Sequence, residues 1–468
     1  MKLKRVTLKN YRSIEDVNFD LEPLEDGSFT YGLIGVNEAG KSSILKGLGL
    51  QNANHTFKIS IKDFHDKSKP IEIEYHYTLM KEETLEYLDI LKSNNVVSSS
   101  LPFQVNLNEI VKVVTYNSSN LNSSSGVRFP ISVGDLSHEM LGKILNILTP
   151  KFHRIIFWTA DVNYLISGAI NLTAFAANPD TTSIPLKNCF ILAGITADKI
   201  KERIALVTDS TEREELRELL GSKVTEHIRS VWPKHPIKIT FDISDGNIYF
   251  HIHDEHIKGK SKTTDQRSDG FRQFISFLLT VSAESKNEAL ANTIILLDEP
   301  ETHLHPTAQQ DLLKELAMIT KNDKNNVVFF ATHSNYMVDK IQLDRNYKIE
   351  KPKDKTTVIR FDKKTSTYAS VNYDAFNIVS TDYHNELFAQ AQEKSGFEKG
   401  TEFDNHIKEL IPTVIIKSYK KGTAKPFDCT LPTYIRHQIH HPENSLNPKF
   451  TLHELEQSIQ ILLNYLIL

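Results

Sequence analysis

The sequence predicts an α/β protein with a parallel-sheet head, a helical lobe inserted into that head, and a mainly helical C-terminal domain. Three observations carry this. NTIILLDEP (292–300) and NNVVFFATHS (325–334) are near-continuous apolar runs that end in polar residues, the pattern of central strands buried on both faces. A glycine-bearing loop lies between an apolar strand, YGLIG (31–35), and a helical start, KSSILKGLGL (41–50). From 196 to 232 the chain turns dense in charge, with apolar residues three and four apart, as on an amphipathic helix.

At 468 residues the chain is too long for one simple core. The pattern predicts an N-terminal part of the head at 1–135, the helical lobe at 136–235, the second part of the head at 236–350, and the C-terminal domain at 351–468. Within the first part, KRVTLKNYRSI (4–14) and FTYGLIG (29–35) are strands. IEIEYHYTL (71–79) alternates cleanly, VNLNEIVKVVTY (105–116) is a further strand, and Ser/Asn-rich loops lie beside it. Residues 136–232 look mostly helical. HPIKITFDI and GNIYFHIHDEH form a hairpin around the turn Ser244-Asp245-Gly246. The stretch 349–371 is expected to be a linker and hairpin, and helices follow it.

Composition is that of a globular protein, with 40% hydrophobic and 24% charged residues. The formal net charge of -4 gives no global positive field for nucleic acid, although a local basic face is compatible with it. Two cysteines, Cys189 and Cys429, form no disulfide framework or zinc motif, which suits a reducing compartment. The N-terminus alternates like a strand rather than a leader, and no run approaches a membrane span. A cytoplasmic protein without a membrane association is expected.

Gly35-Val-Asn37-Glu-Ala-Gly40-Lys41-Ser42 fits GxxxxGK[ST], with a strand before it and a helix after it. Glycines let successive backbone N–H groups turn toward phosphate oxygens, and the helix start adds its positive end. Gly35, Asn37, Gly40, Lys41, Ser42 and Ser43 are therefore candidate ATP-binding residues. Lys41 would reach the β and γ phosphates, and the Ser42 hydroxyl would ligate Mg2+. Asp298 and Glu299 close an apolar strand at its carboxyl end, where such sheets bind ligands. Asp298 is expected to hold Mg2+ and Glu299 to polarise the attacking water. The bland alternative is a buried strand that ends in two solvated acids. Ser268 and Gly270 open a long apolar helix and form a candidate anion site. His333, directly after the second apolar run, is placed to contact a γ-phosphate.

In this order, the phosphate loop, the Ser-x-Gly helix start, LLDEPETHLHP and ATHS resemble ABC-type ATPases. They look most like the AAA15 group, which includes OLD nucleases and relatives of RecF and Rad50; LKNYRSIEDVNF is similar to that group's opening strands. The resemblance implies an ABC-type P-loop ATPase head that binds ATP and Mg2+ at a head-to-head dimer interface. There, Ser268 and Gly270 of one subunit face the γ-phosphate held by residues 35–43 of the other. Residues 340–468 lack the Glu and Asp-x-Asp set of the Toprim nuclease domain that follows the ATPase in OLD nucleases. The arrangement is similar to ATPase subunits of two-component antiphage systems, first the PtuA subunits of Septu, which work with an HNH nuclease, and next those of PARIS. It implies a homo-oligomer that regulates a separate nuclease and meets nucleic acid through that complex. A RecF/Rad50-like repair ATPase is a further alternative, although neither long heptads nor a basic total supports it.

TYIRHQIHHPENSLN (433–447) raises a second possibility. The spacing of Arg436 and His441 matches the R-x4–6-H motif of HEPN ribonucleases, which implies an ATP-gated ribonuclease with His441 as acid or base and Arg436 at the phosphorane. Alternatively, Pro442 ends a helix, and the following residues turn into an amphipathic tail through Leu452, Leu455, Ile459, Leu462 and Leu463, which serves structure or partner docking.

Overall fold

The computed structural model describes residues 1–51, 58–93, 109–129, 138–231, 237–254, 262–263, 269–284, 290–302, 304–321, 324–361 and 366–468. The chain divides into two compact units, Met1–Asp362 and Lys363–Leu468.

The first unit opens with β1 (Lys2–Tyr11), β2 (Ile14–Asp20), β3 (Thr30–Ile34) and α1 (Lys41–Leu48). β4 (Ile71–Thr78), α2 (Lys81–Ser93), β5 (Glu109–Tyr116) and β6 (Ser123–Arg128) follow. Next come α3 (His138–Leu148), β7 (Arg154–Thr159), β8 (Ala169–Asn171) and the helices α4 (Leu172–Ala177), α5 (Pro179–Thr182), α6 (Ile184–Leu192), α7 (Ile200–Ala205) and α8 (Ser210–Val231). β9 (Ile237–Ser244), β10 (Asn247–Asp254), β11 (Lys262–Thr263), α9 (Asp269–Glu284), β12 (Thr293–Asp298), α10 (Pro306–Thr320), β13 (Val327–Thr332), β14 (Asn346–Glu350) and β15 (Thr357–Arg360) complete it.

A six-stranded sheet, β15-β14-β3-β13-β12-β7, forms the centre. Its strands are parallel except β15, which turns back on β14. Along β12, Ile294 and Leu296 enter one core while Ile295 and Leu297 enter the other. β13 divides Val327 and Phe329 from Val328 and Phe330 in the same way. Both faces are dry, so a period of two is hidden under an unbroken apolar run. The first core is closed by an antiparallel sheet, β2-β1-β4-β5-β6. The second is closed by α6, α8, α9 and the sheet built on β10. Leu216, Leu220, Val224 and Ile228 are buried along α8 at a spacing of four, which explains why that helix was legible.

Two boundaries move. Residues 136–235 are not wholly helical, because Arg154–Thr159 is a strand of the central sheet, paired in register with β12. Its apolar RIIFWT is six residues long and resembles a helix core until its neighbour is known. Residues 351–362 complete the head rather than opening the C-terminal domain, because β15 pairs with β14.

The second unit contains α11 (Tyr368–Phe376), α12 (Thr381–Ser395), α13 (Gly400–Leu410), a hairpin of β16 (Ile416–Tyr419) and β17 (Phe427–Thr430), α14 (Leu431–His440) and α15 (Leu452–Ile467). α15 starts on a capping box of Thr451 and Glu454 and buries Leu455, Ile459, Leu462 and Tyr465, whereas Leu452 stays exposed in its first turn. Among the described residues no helix is long and apolar enough to cross a membrane.

Candidate active site

Register brings the site together. Asp298 lies opposite Ala331 on one side and Thr159 on the other, and Thr332 lies opposite Ile34. Four parallel strands therefore end on one edge, and the segments leaving them converge there.

From β3 the chain enters the 35–40 loop and starts α1 at Lys41. Gly40 has φ +109, and a Cβ there would sit 2.4 Å from Thr356 Oγ1, so only glycine fits. A Cβ on Gly35 would lie 2.3 Å from the Ile349 carbonyl oxygen. The β14–β15 hairpin thus packs on the loop from behind. Thr356 donates to the Ala39 carbonyl at 3.2 Å and lies 2.8 Å from Ser13 Oγ. Lys41 Nζ turns back to the carbonyls of Gly35 (2.8 Å) and Val36 (2.9 Å) and is 3.3 Å from His333 Nδ1. Burial lowers its pKa to about 8, against the pull of Glu299, Asp298 and Glu301.

Ser42 Oγ donates to Asp298 Oδ1 at 2.8 Å. Burial raises the Asp298 pKa, and the Ser42 hydrogen bond opposes this. Two hard oxygen donors side by side at the start of a helix fit Mg2+, which takes few protein ligands and fills its shell with water and phosphate oxygens. Asn37 is exposed at the loop tip, and Ser43 is half-buried in the first turn of α1.

Glu299 has φ +53. That uncommon conformation is held on three sides: its N–H donates to Ala331 O (3.0 Å), and its carbonyl accepts from Gln273 Nε2 (3.0 Å) and Thr302 Oγ1 (3.0 Å). Its carboxylate lies 3.1 Å from His333 Nε2. That hydrogen bond, followed by the charges of His333 and Lys41, lowers the Glu299 pKa despite partial burial. Below it, Glu301 is buried and accepts from Thr332 Oγ1 and from the His333 N–H, the latter at 3.4 Å. Burial raises its pKa to about 7.

The structure therefore brings Gly35, Gly40, Lys41, Ser42, Asp298, Glu299 and His333 together. Gly270 stands in the first turn of α9, whereas Ser268 lies outside the described residues. Gln273, Glu301 and Thr356 were not legible as site residues. Gln273 is a polar residue on an apolar helix, a weak signal; Glu301 and Thr356 give no local signal. Asp161, two residues beyond β7, adds its negative charge near Asp298 and was hidden by the helical assignment of that segment.

Arg436 and His441 have separate partners. Arg436 donates to Gln392 Oε1 at 3.0 Å and lies 4.3 Å from the centre of the Phe388 ring. His441 caps α14 and pairs with Glu443 at 3.4 Å.

The profile of the AAA ATPase domain family (AAA_15) matches residues 1–167 and 180–338. The chain belongs to that family and is an ATPase. It is similar to the Old nuclease of Escherichia phage P2, 23% identical over 367 residues, covering 72% of this chain and 57% of the relative. It is also similar to the uncharacterised protein MJECL43 of Methanocaldococcus jannaschii, 27% identical over 138 residues, 28% of this chain and 35% of the relative. The matches thus span about a third to little more than half of these relatives. Among solved structures, an SMC head bound to the C-terminal winged-helix domain of ScpA aligns at 15% identity and TM-score 0.43, over 77% of this chain and 98% of the other.

Proposed function

We propose that this chain is the ATP-hydrolysing subunit of a bacterial antiphage defence complex and regulates a separate nuclease, HNH-type as in Septu. The observation that carries the catalytic part is the arrangement of Glu299, fixed by Gln273, Ala331 and Thr302 and directed toward His333 beside Lys41.

Ser42 and Asp298 would hold Mg2+, which supplies charge neutralisation at the phosphates when bound. Lys41 exchanges the carbonyls of Gly35 and Val36 for phosphate oxygens. Glu299, ionised at neutral pH, accepts a hydrogen bond from the attacking water and takes its proton as the oxygen bonds to the γ-phosphorus and the ADP oxygen leaves. His333 keeps the Glu299 carboxylate oriented through Nε2 and stands beside the γ-phosphoryl group. Ser268 and Gly270 would complete the site of a second head in a head-to-head dimer.

The likeness to the Old nuclease of phage P2 supports a link to nuclease function, and the resemblance of the tail to PtuA subunits supports the antiphage role. The assignment of the nuclease to a partner rests on that same resemblance to PtuA subunits.

Two variants test the catalytic assignment. Lys41→Ala should lose nucleotide binding, measured by a labelled ATP analogue. Glu299→Gln should bind ATP like the wild type while its turnover falls about a hundredfold or more. Wild-type turnover by Glu299→Gln would remove Glu299 as the base. Co-purification from the native operon tests the partner: the chain alone, with no nuclease, would count against the complex.

A further inference from the structure

Charge in the C-terminal unit is segregated. Residues 411–449 carry six Lys and Arg against two acids, a formal +4, while the rest of the 363–468 unit carries five against ten. Lys417 is neutralised by Glu454, and Arg436 is packed on Phe388. Lys420, Lys421, Lys425 and Lys449 are exposed.

These lysines stand on a braced frame. Asn447 accepts the Lys420 N–H at 2.7 Å and donates to its carbonyl at 2.9 Å, and Asn444 donates to the same carbonyl at 3.0 Å. The β16–β17 hairpin is thereby pinned to the loop after α14. That loop is held in turn by the Tyr434 hydroxyl on the Pro448 carbonyl at 2.6 Å and by the Phe450 N–H on Gln438 at 3.0 Å. Beside the lysines is an aromatic step. Tyr419 stacks on His437 with centroids 4.8 Å apart, and Phe427, 43% exposed, meets both edge-on at 5.8 and 6.1 Å. Burial lowers the His437 pKa, with the charges of His441, Lys421 and Arg436 acting the same way and Asp404 opposing them.

We propose that this hairpin end of the C-terminal unit is a docking surface for single-stranded nucleic acid, with Lys420, Lys421, Lys425 and Lys449 at the phosphates and Phe427 as the ring on which a base stacks. Lysines on a fixed frame match a backbone of regularly spaced negative charge. An exposed ring beside them favours an open strand, whose bases are free to stack, over a duplex.

The test is fluorescence anisotropy of the full chain with a labelled 20-nucleotide oligo-U RNA, the matching oligo-dT DNA, a 20-base-pair duplex and polyglutamate, from 50 to 300 mM NaCl. Single strands should bind, and log K should fall with log salt at a slope of roughly -3 for four contacts. The triple variant Lys420→Glu, Lys421→Glu, Lys425→Glu should bind more than tenfold more weakly, with unchanged melting and ATP turnover. Phe427→Ala should weaken single-strand binding roughly tenfold and leave duplex binding unaltered. A preference between the RNA and DNA arms would identify which single strand is held. Absence of salt-dependent single-strand binding by the wild type, undiminished binding by the triple variant, or equal binding of polyglutamate would overturn the proposal.

Discussion

Two regions of this molecule carry suggestive residues, one set scattered along the sequence and one set close together, and they resolve differently. At the head, residues 35–42, 298–299 and 333 come from three separate segments and meet within hydrogen-bonding distance. At the end of α14, Arg436 and His441 are five positions apart and engage different neighbours, Gln392 and Phe388 for one and Glu443 for the other. Parallel strands in register deliver their next residues to one edge whatever the sequence distance. A helix end gives no such guarantee, since positions five apart on it do not share a face. Motif spacing is informative where topology forces convergence.

The largest expected effect that sharpens this contrast concerns Glu301, a buried carboxyl beside His333. Its folded pKa of about 7 lies above its ordinary 4.5. The contribution of the neutral form is therefore complete below pH 4.5 and is lost as pH rises to about 7, a cost of roughly 3 kcal/mol by pH 8. Glu301→Gln remains neutral throughout. Its melting temperature should rise relative to wild type between pH 4.5 and 7, and the gap should then stay level. A gap of constant size across that range would show that Glu301 does not titrate in the fold.

Much of the head could be read in advance because its signals are local: an apolar run, a glycine loop, acids at a strand end. What escaped depended on partners remote in sequence. RIIFWT at β7 reads as a strand only beside β12. Thr356 matters because the β14–β15 hairpin returns it to Gly40, and no pattern near residue 356 records that. In the second unit, the Asn444 and Asn447 side chains clasp Lys420, a partner remote in sequence that the structural reading of the tail could not name.

Gln273 provides the next test, with an effect of about ten- to hundredfold. It is buried on α9 and reaches the candidate site through its hydrogen bond to the Glu299 carbonyl. Gln273→Leu removes that hydrogen bond at similar volume and releases one of three restraints on the φ +53 backbone. kcat should fall about ten- to hundredfold, as expected when a reacting group is misplaced by a fraction of an ångström to an ångström, while KM for ATP changes little. A rise in KM with kcat preserved would mean that Gln273 shapes the nucleotide pocket instead of Glu299.

The smallest effects belong to the tail, where they discriminate most between a ribonuclease pair and a structural one. Removing the Arg436 side chain ends its hydrogen bond and its place over Phe388, which should cost about 1 kcal/mol of stability. His441→Ala loses a partly exposed pairing with Glu443 and should stay within roughly 0.5 kcal/mol. If the pair is structural, any RNA cleavage by the purified chain persists in both variants, and only Arg436→Ala melts earlier. If the two act as one catalytic unit, each substitution abolishes cleavage to a similar extent, although their stability costs differ. Arg436 would then have to leave Phe388 to reach a phosphate.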